Sequence, residues 1–99
     1  FQEELSYHEG MLFVFDNSGT HPMWMLNMQF HLDLIWFDEN LHVTAIEKSI
    51  PPCITTIEVV TCRDNGVSGD NAKYVLEVTA GFVDKFNITE NSKLEIISI

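Results

Sequence analysis

At 99 residues, with 45% hydrophobic side chains, seven Phe and two Trp, the chain is long enough to bury one core and too short for a second, so a single domain over 1–99 is expected. The formal net charge of −10 is uneven, because all five basic residues (Lys48, Arg63, Lys73, Lys85, Lys93) follow position 47 while eight carboxylates lie at or before it. Such a surface repels phosphate and makes nucleic acid and anionic lipid poor partners, and no run approaches the roughly 18 apolar residues of a membrane span, so no membrane insertion is expected.

The chain begins at Phe1 rather than Met, so residues upstream are expected to have been removed, either as a secretion signal or by trimming. Residues 1–8 read as the remnant of a helix or turn: Ser6 and Glu9 stand at capping-box spacing, but Gly10 spoils a helix continuing beyond them. Met11-Leu12-Phe13-Val14-Phe15 is apolar on both faces and predicts a central, fully buried strand. Asp16-Asn17-Ser18-Gly19 is a turn cluster, and Thr20-His21-Pro22 leads onward.

The chain is organised around residues 23–38. Taking alternate residues, Trp24, Leu26, Met28, Phe30, Leu32, Leu34 and Trp36 are all apolar, whereas the other set places Asn27, Gln29, His31 and Asp33 between Met23, Met25 and Ile35, Phe37. One face is core and the other carries a polar strip. A run of this length exceeds the usual strand of roughly 3 to 10 residues, so a bend or bulge is expected near 29–31.

Glu39-Asn40 has the length of a two-residue hairpin turn, and Leu41, Val43 and Ala45 alternate with His42, Thr44 and Ile46 in a return strand that Pro51-Pro52 ends. Residues 55–61 are rich in β-branched side chains and read as a strand, 63–71 as the longest polar loop, and 73–79 as a further strand with Tyr74, Leu76 and Val78 opposed to Val75 and Glu77. One or two helical turns are expected over 80–86, ending at Asn87, and a last strand over 93–99. The sum is a mainly β domain: an antiparallel β-sandwich or partly closed barrel of about seven short strands.

Several blocks together resemble a known family: Gly10-Met11-Leu12-Phe13-Val14-Phe15; Trp24-Met25 followed by Asn27; Leu32-Asp33-Leu34-Ile35-Trp36-Phe37-Asp38; Pro52-Cys53; and Tyr74-Val75-Leu76-Glu77-Val78 with Ala80-Gly81. In order and spacing they look like the signatures of the domain of unknown function 192 family across nearly the whole chain. The resemblance implies a compact β-rich domain of bacteria and archaea, often behind a secretion signal and without an established activity. Leu26 stands where many members carry Lys, and Met28 where many carry Thr, so a charge that family sites can hold is missing here. The spacing from Cys62 to Tyr74 points to an insertion at 63–71.

The candidate ligand-binding residues are Asn27, Gln29, His31 and Asp33 on the polar strip, framed by Trp24 and joined by Glu77 if its strand lies alongside. The competing reading is the solvated outer face of an ordinary antiparallel sheet. His21, Met23, Trp24, Met25 and Met28 resemble a soft-donor set for copper, but Met28 alternates away from Met23 and Met25, and methionines fill cores readily. The cysteine and histidine spacing does not match a zinc site, and Asp64, Asn65, Ser68, Asp70 and Asn71 do not match a calcium loop. Asn87-Ile88-Thr89 is a glycosylation sequon of a kind that arises often by chance.

No nucleophile elbow or metal-binding helix motif is present, so no cofactor, metal or catalytic residue is assigned. The preferred expectation is a non-enzymatic binding or accessory domain of the cell envelope, taking a small polar ligand or a protein partner. The alternatives are a small hydrolase using Asp33 and His31, and a copper carrier. Cys53 and Cys62 are the only cysteines. An extended run of roughly 3.3 Å per residue between them would hold them about 30 Å apart, against about 7 Å between Cα atoms in a disulfide. They are expected to remain unbonded to each other.

Overall fold

The computed structural model describes residues 6–20, 31–51 and 71–97. They form one antiparallel sheet of four strands, β1 (Gly10–Gly19), β2 (Leu32–Phe37), β3 (Val43–Ile50) and β4 (Ala72–Thr79), in the order β1-β4-β2-β3, followed by one short helix, α1 (Phe82–Lys85). Among the described residues no helix is long and apolar enough to cross a membrane. The expected strand at 55–61, both cysteines and the methionine-rich run 23–28 lie outside the described residues.

β2 and β4 are the central pair, and the register Leu34↔Glu77, Ile35↔Leu76, Trp36↔Val75 fixes which side chains share a face. Leu32, Leu34, Trp36 and Val75 pack on one face with Phe13 and Ala45 against them, while Ile35, Phe37, Val78 and Val83 pack on the face that α1 covers. β2 is buried at all six positions. Its alternation therefore does not divide core from solvent, and the second face is closed by the residues that follow β4.

Four expectations are corrected, the last of them at the β2–β3 turn. Met11-Leu12-Phe13-Val14-Phe15 lies in β1, at one end of the sheet order rather than at its centre, with Met11 48% and Val14 61% exposed. Residues 16–19 do not make a turn but continue β1 through an irregularity, in which Val14↔Tyr74 is followed by Gly19↔Ala72. Beyond residue 92 the described chain makes one isolated bridge, His42↔Lys93, rather than a strand. Leu94 N–H adds a single bond of 2.8 Å to the Leu41 carbonyl.

The β2–β3 connection is a three-residue loop rather than a two-residue turn. Asp38 N–H donates to His42 O at 2.9 Å, and Leu41 N–H donates to Asp38 O at 3.0 Å. The left-handed residue is Leu41 (φ 68), the usual arrangement of a type I turn followed by one αL residue. Asp38 Oδ1 also accepts from Asn40 and His42 N–H at 2.9 and 3.0 Å, which explains why an Asp stands at this corner.

Candidate functional site

Asp33, placed by its sequence position on the polar strip, is fully buried. It pairs with Val78, which puts its side chain on the face that α1 covers. Oδ1 accepts from Ser49 N–H at 2.8 Å, and Oδ2 accepts from Gly81 N–H at 3.2 Å and Val83 N–H at 2.9 Å. Each oxygen serves a different irregularity of the backbone.

The first is a bulge in β3. Leu32 pairs with Ile50 and Leu34 with Glu47, so β3 spends one more residue than β2 over this interval, and Ser49 takes φ 54. Its N–H turns from the ladder toward Asp33. The second is the start of α1, whose N-cap is Gly81 at φ 95 and has no side chain to cap the helix. Asp33 supplies that cap from β2, through space rather than through sequence. The backbone angle favours glycine here, and a Cβ on Gly81 would lie 2.9 Å from Tyr7 Oη, so the exposed Tyr7 ring would also have to shift. Outside, Lys48 Nζ meets Asp84 Oδ1 at 3.1 Å and ties the same two segments with an exposed ion pair. That pair is worth only a few tenths of a kcal/mol, roughly.

Glu77 lies on the opposite face. It pairs with Leu34 on one side and Met11 on the other, and Glu47 stands across Leu34 on β3. Glu77 is 5% exposed, and burial raises its carboxyl from the ordinary 4.5 to about 6. Glu47, by contrast, is exposed. Among the described residues no hydrogen-bond or ion-pair partner meets the Glu77 carboxyl.

Of the candidate residues that are described, Asp33 and Glu77 therefore do not share a strip. Asp33 and Glu77 are one register step apart and on opposite sides of the sheet. His31 precedes β2, is exposed, and accepts Ala80 N–H at 3.2 Å through its backbone carbonyl. Trp24, Asn27 and Gln29 lie outside the described residues. Among the described residues no group of three His, Cys, Asp or Glu side chains could hold a metal ion.

Sequence reasoning missed the part Asp33 plays and its partners Ser49, Gly81 and Val83. One signal was present: a lone Asp between Leu32 and Leu34 in an otherwise apolar strand is more economically a buried acceptor than a solvated one. The partners carried no comparable signal, because all three contribute only backbone N–H groups.

The fold recurs in solved structures. A candidate transcription regulator from Sinorhizobium meliloti 1021 superposes with a TM-score of 0.81 at 23% identity, covering 96% of this chain and 67% of that one. A protein of unknown function from Novosphingobium aromaticivorans DSM 12444 matches with a TM-score of 0.81 at 25% identity, covering 97% of this chain and 63% of that one. No functionally curated protein matches the chain. The blocks from Gly10-Met11 through Asp33, Glu77 and Gly81, which build the sheet and its buried cap, fall within residues 1–96, and over those residues the chain matches the model of DUF192, an uncharacterized family, to which it belongs.

Proposed function

We propose that this chain is a non-enzymatic ligand-binding or accessory domain of the cell envelope, with Glu77 as the group that recognises the ligand. The observation that carries the reading is a carboxyl at the centre of the sheet, nearly buried, raised to about 6, and met by no partner among the described residues. An acid held this way gains most from a ligand that brings a positive charge, because pairing removes the desolvation cost of the ionised form. The ligand is therefore a small molecule with an amine or guanidinium on a modest apolar body. Trp24, Asn27, Gln29 and His31 remain candidates from the sequence alone, and Asp33, on the face opposite Glu77, acts as a positioning residue. A sandwich or partly closed barrel of about seven strands is kept as part of this reading; the strand expected at 55–61 lies outside the described residues.

The position of Asp33 weakens the hydrolase alternative. A general base must come within roughly 2.6 to 3.2 Å of the proton it abstracts, and this carboxylate is fully buried with both oxygens bonded to backbone N–H groups. The regulator description attached to the Sinorhizobium meliloti protein is not carried over, since a chain with a net charge of −10 has little to offer a phosphate backbone. The envelope placement rests on what the family resemblance implies, and cell fractionation checks it.

The test is a melting titration near pH 7.5 with ethylamine, putrescine and arginine methyl ester. A ligand held at Glu77 raises the melting temperature of the wild type and loses most of that effect in Glu77→Gln, because only native-state binding stabilises. No shift with any of the three, or the same shift in Glu77→Gln, overturns the reading.

A further inference from the structure

A second surface, independent of Glu77, lies on the helix-covered face at the β1 end of the sheet. Tyr7, Gly10, Leu12, Leu76, Phe82 and Phe86 line a groove of about 420 Å³ there, with Glu9 at its margin. The bare position at Gly10 opens it: Gly10 pairs with Val78, and a Cβ added there would come within 2.9 Å of the Glu77 carbonyl. Tyr7 and Phe86 meet edge-on at 6.4 Å and form the wall opposite the strand. Lys85 Nζ sits 5.2 Å from the Tyr7 ring centre and 5.8 Å from that of Phe86, so the cation closest to the wall is engaged with the aromatic faces.

The groove borders β1, which stands at one end of the order of the described strands. β1 pairs with β4 along one side, and among the described residues no strand pairs with its other side. Natural edge strands are blunted by Pro, by charge or by a bulge. None of these interrupts residues 10–14, where Met11, Leu12 and Val14 are 48%, 40% and 61% exposed and the irregularity begins only after Val14.

Charge selects the occupant. The neutral run 10–15 is bounded by Glu9 and Asp16. If a second copy paired its β1 antiparallel to this one with the neutral runs matched, Glu9 would stand opposite Asp16 of that copy at both ends, a destabilising like-charge arrangement. A strand that is apolar in its middle and basic at its ends meets both carboxylates instead. Lys73 Nζ donates to the Asp16 backbone carbonyl at 2.7 Å and offsets part of the charge at that end, so Glu9 supplies the larger attraction.

We propose that the β1 edge over Gly10–Val14, together with the groove beside it, takes an extended segment of a partner protein, apolar at its centre and flanked by Lys or Arg. The segment adds a strand to the sheet, its main chain pairing with β1 and its alternate side chains entering the groove between Leu12 and Phe86.

The probe is acetyl-Lys-Val-Thr-Val-Thr-Leu-Thr-Lys-amide, compared with the same peptide ending in Glu at both positions, titrated at low salt into the isotope-labelled chain. The Lys-ended peptide is expected to shift the amide resonances of Gly10–Val14, slow their hydrogen exchange, and bind at least about tenfold more tightly than the Glu-ended one. Glu9→Lys should erase that preference. Val14→Lys, at an exposed position where circular dichroism verifies the fold, should weaken binding by about fivefold or more. Glu77→Gln should leave the peptide affinity unchanged, which separates this proposal from the ligand reading above. Silence with both peptides at millimolar concentration, equal affinities, or shifts confined to residues distant from β1 overturns it. A dimer in sedimentation without peptide, protecting the same amides, overturns it in favour of a second copy.

Discussion

Replacing Asp33 with Asn isolates the buried cap from packing, because the two side chains differ little in volume. The carboxylate accepts one N–H on Oδ1 and two on Oδ2. An amide has one accepting oxygen, which favours the side with two donors, Gly81 and Val83. Its NH2 group then faces Ser49 N–H, donor against donor. The loss is one charge-assisted hydrogen bond, roughly 1.5–3 kcal/mol, plus a buried donor left unmet, roughly 1–3 kcal/mol. A total of about 3 kcal/mol is expected, a large share of the roughly 5–15 kcal/mol that holds a small domain. Urea unfolding with unchanged slope measures the total, and native-state hydrogen exchange locates it: Ser49 should exchange much faster, while Gly81 and Val83 change less. A loss below about 1 kcal/mol, or exchange accelerated at Gly81 and Val83 with Ser49 unaffected, would refute the assignment of Asp33 as a two-sided backbone acceptor.

Glu77 makes stability depend on pH with an unusual sign for a carboxylate. Its folded-state value of about 6 lies above the ordinary 4.5, so between them the folded state binds more protons, and stability falls as pH rises through that window. The full gap corresponds to about 2 kcal/mol, reduced to about 1 kcal/mol by solvent at the carboxyl; Glu77→Gln should flatten this decline in urea melts from pH 4 to 8, and a decline that persists contradicts it. Gly81→Ala forces a Cβ into φ 95 and to 2.9 Å from Tyr7 Oη, with an expected cost of about 2 kcal/mol. Adding Tyr7→Phe should recover part of that loss in a double-mutant cycle, and strict additivity would show that the contact does not matter. Leu34→Ala, at a fully buried position of the central strand, should cost about 2–5 kcal/mol in the same assay, and a loss under 1 kcal/mol, roughly, would mean that the site collapses or is wet.

Local chemistry was enough to place β2, β4 and the helical turns after Thr79, because side-chain alternation, β-branching and Ala80-Gly81 act over a few residues. It also picked out Asp33 and Glu77 as the polar residues of the two central strands. What alternation cannot report is which strand lies beside which. Met11-Leu12-Phe13-Val14-Phe15 has the composition of a central strand, yet among the described residues its strand pairs with β4 alone, and Met11, Leu12 and Val14 are exposed. Its apolar character fits a surface that another chain can cover as well as an interior. Position along β2 likewise said that Asp33 and Ile35 share a face, but not that α1 would seal that face. Only the return of the chain after β4 brings Gly81 and Val83 to within hydrogen-bonding distance and makes a buried cap of what reads as a ligand group. Glu77, one step out of phase, is left on the other side. The sequence by itself thus determined the elements and the polar residues within them. Strand order and the packing of α1 decided what each residue does, because a backbone N–H has no side chain by which sequence could announce its partner.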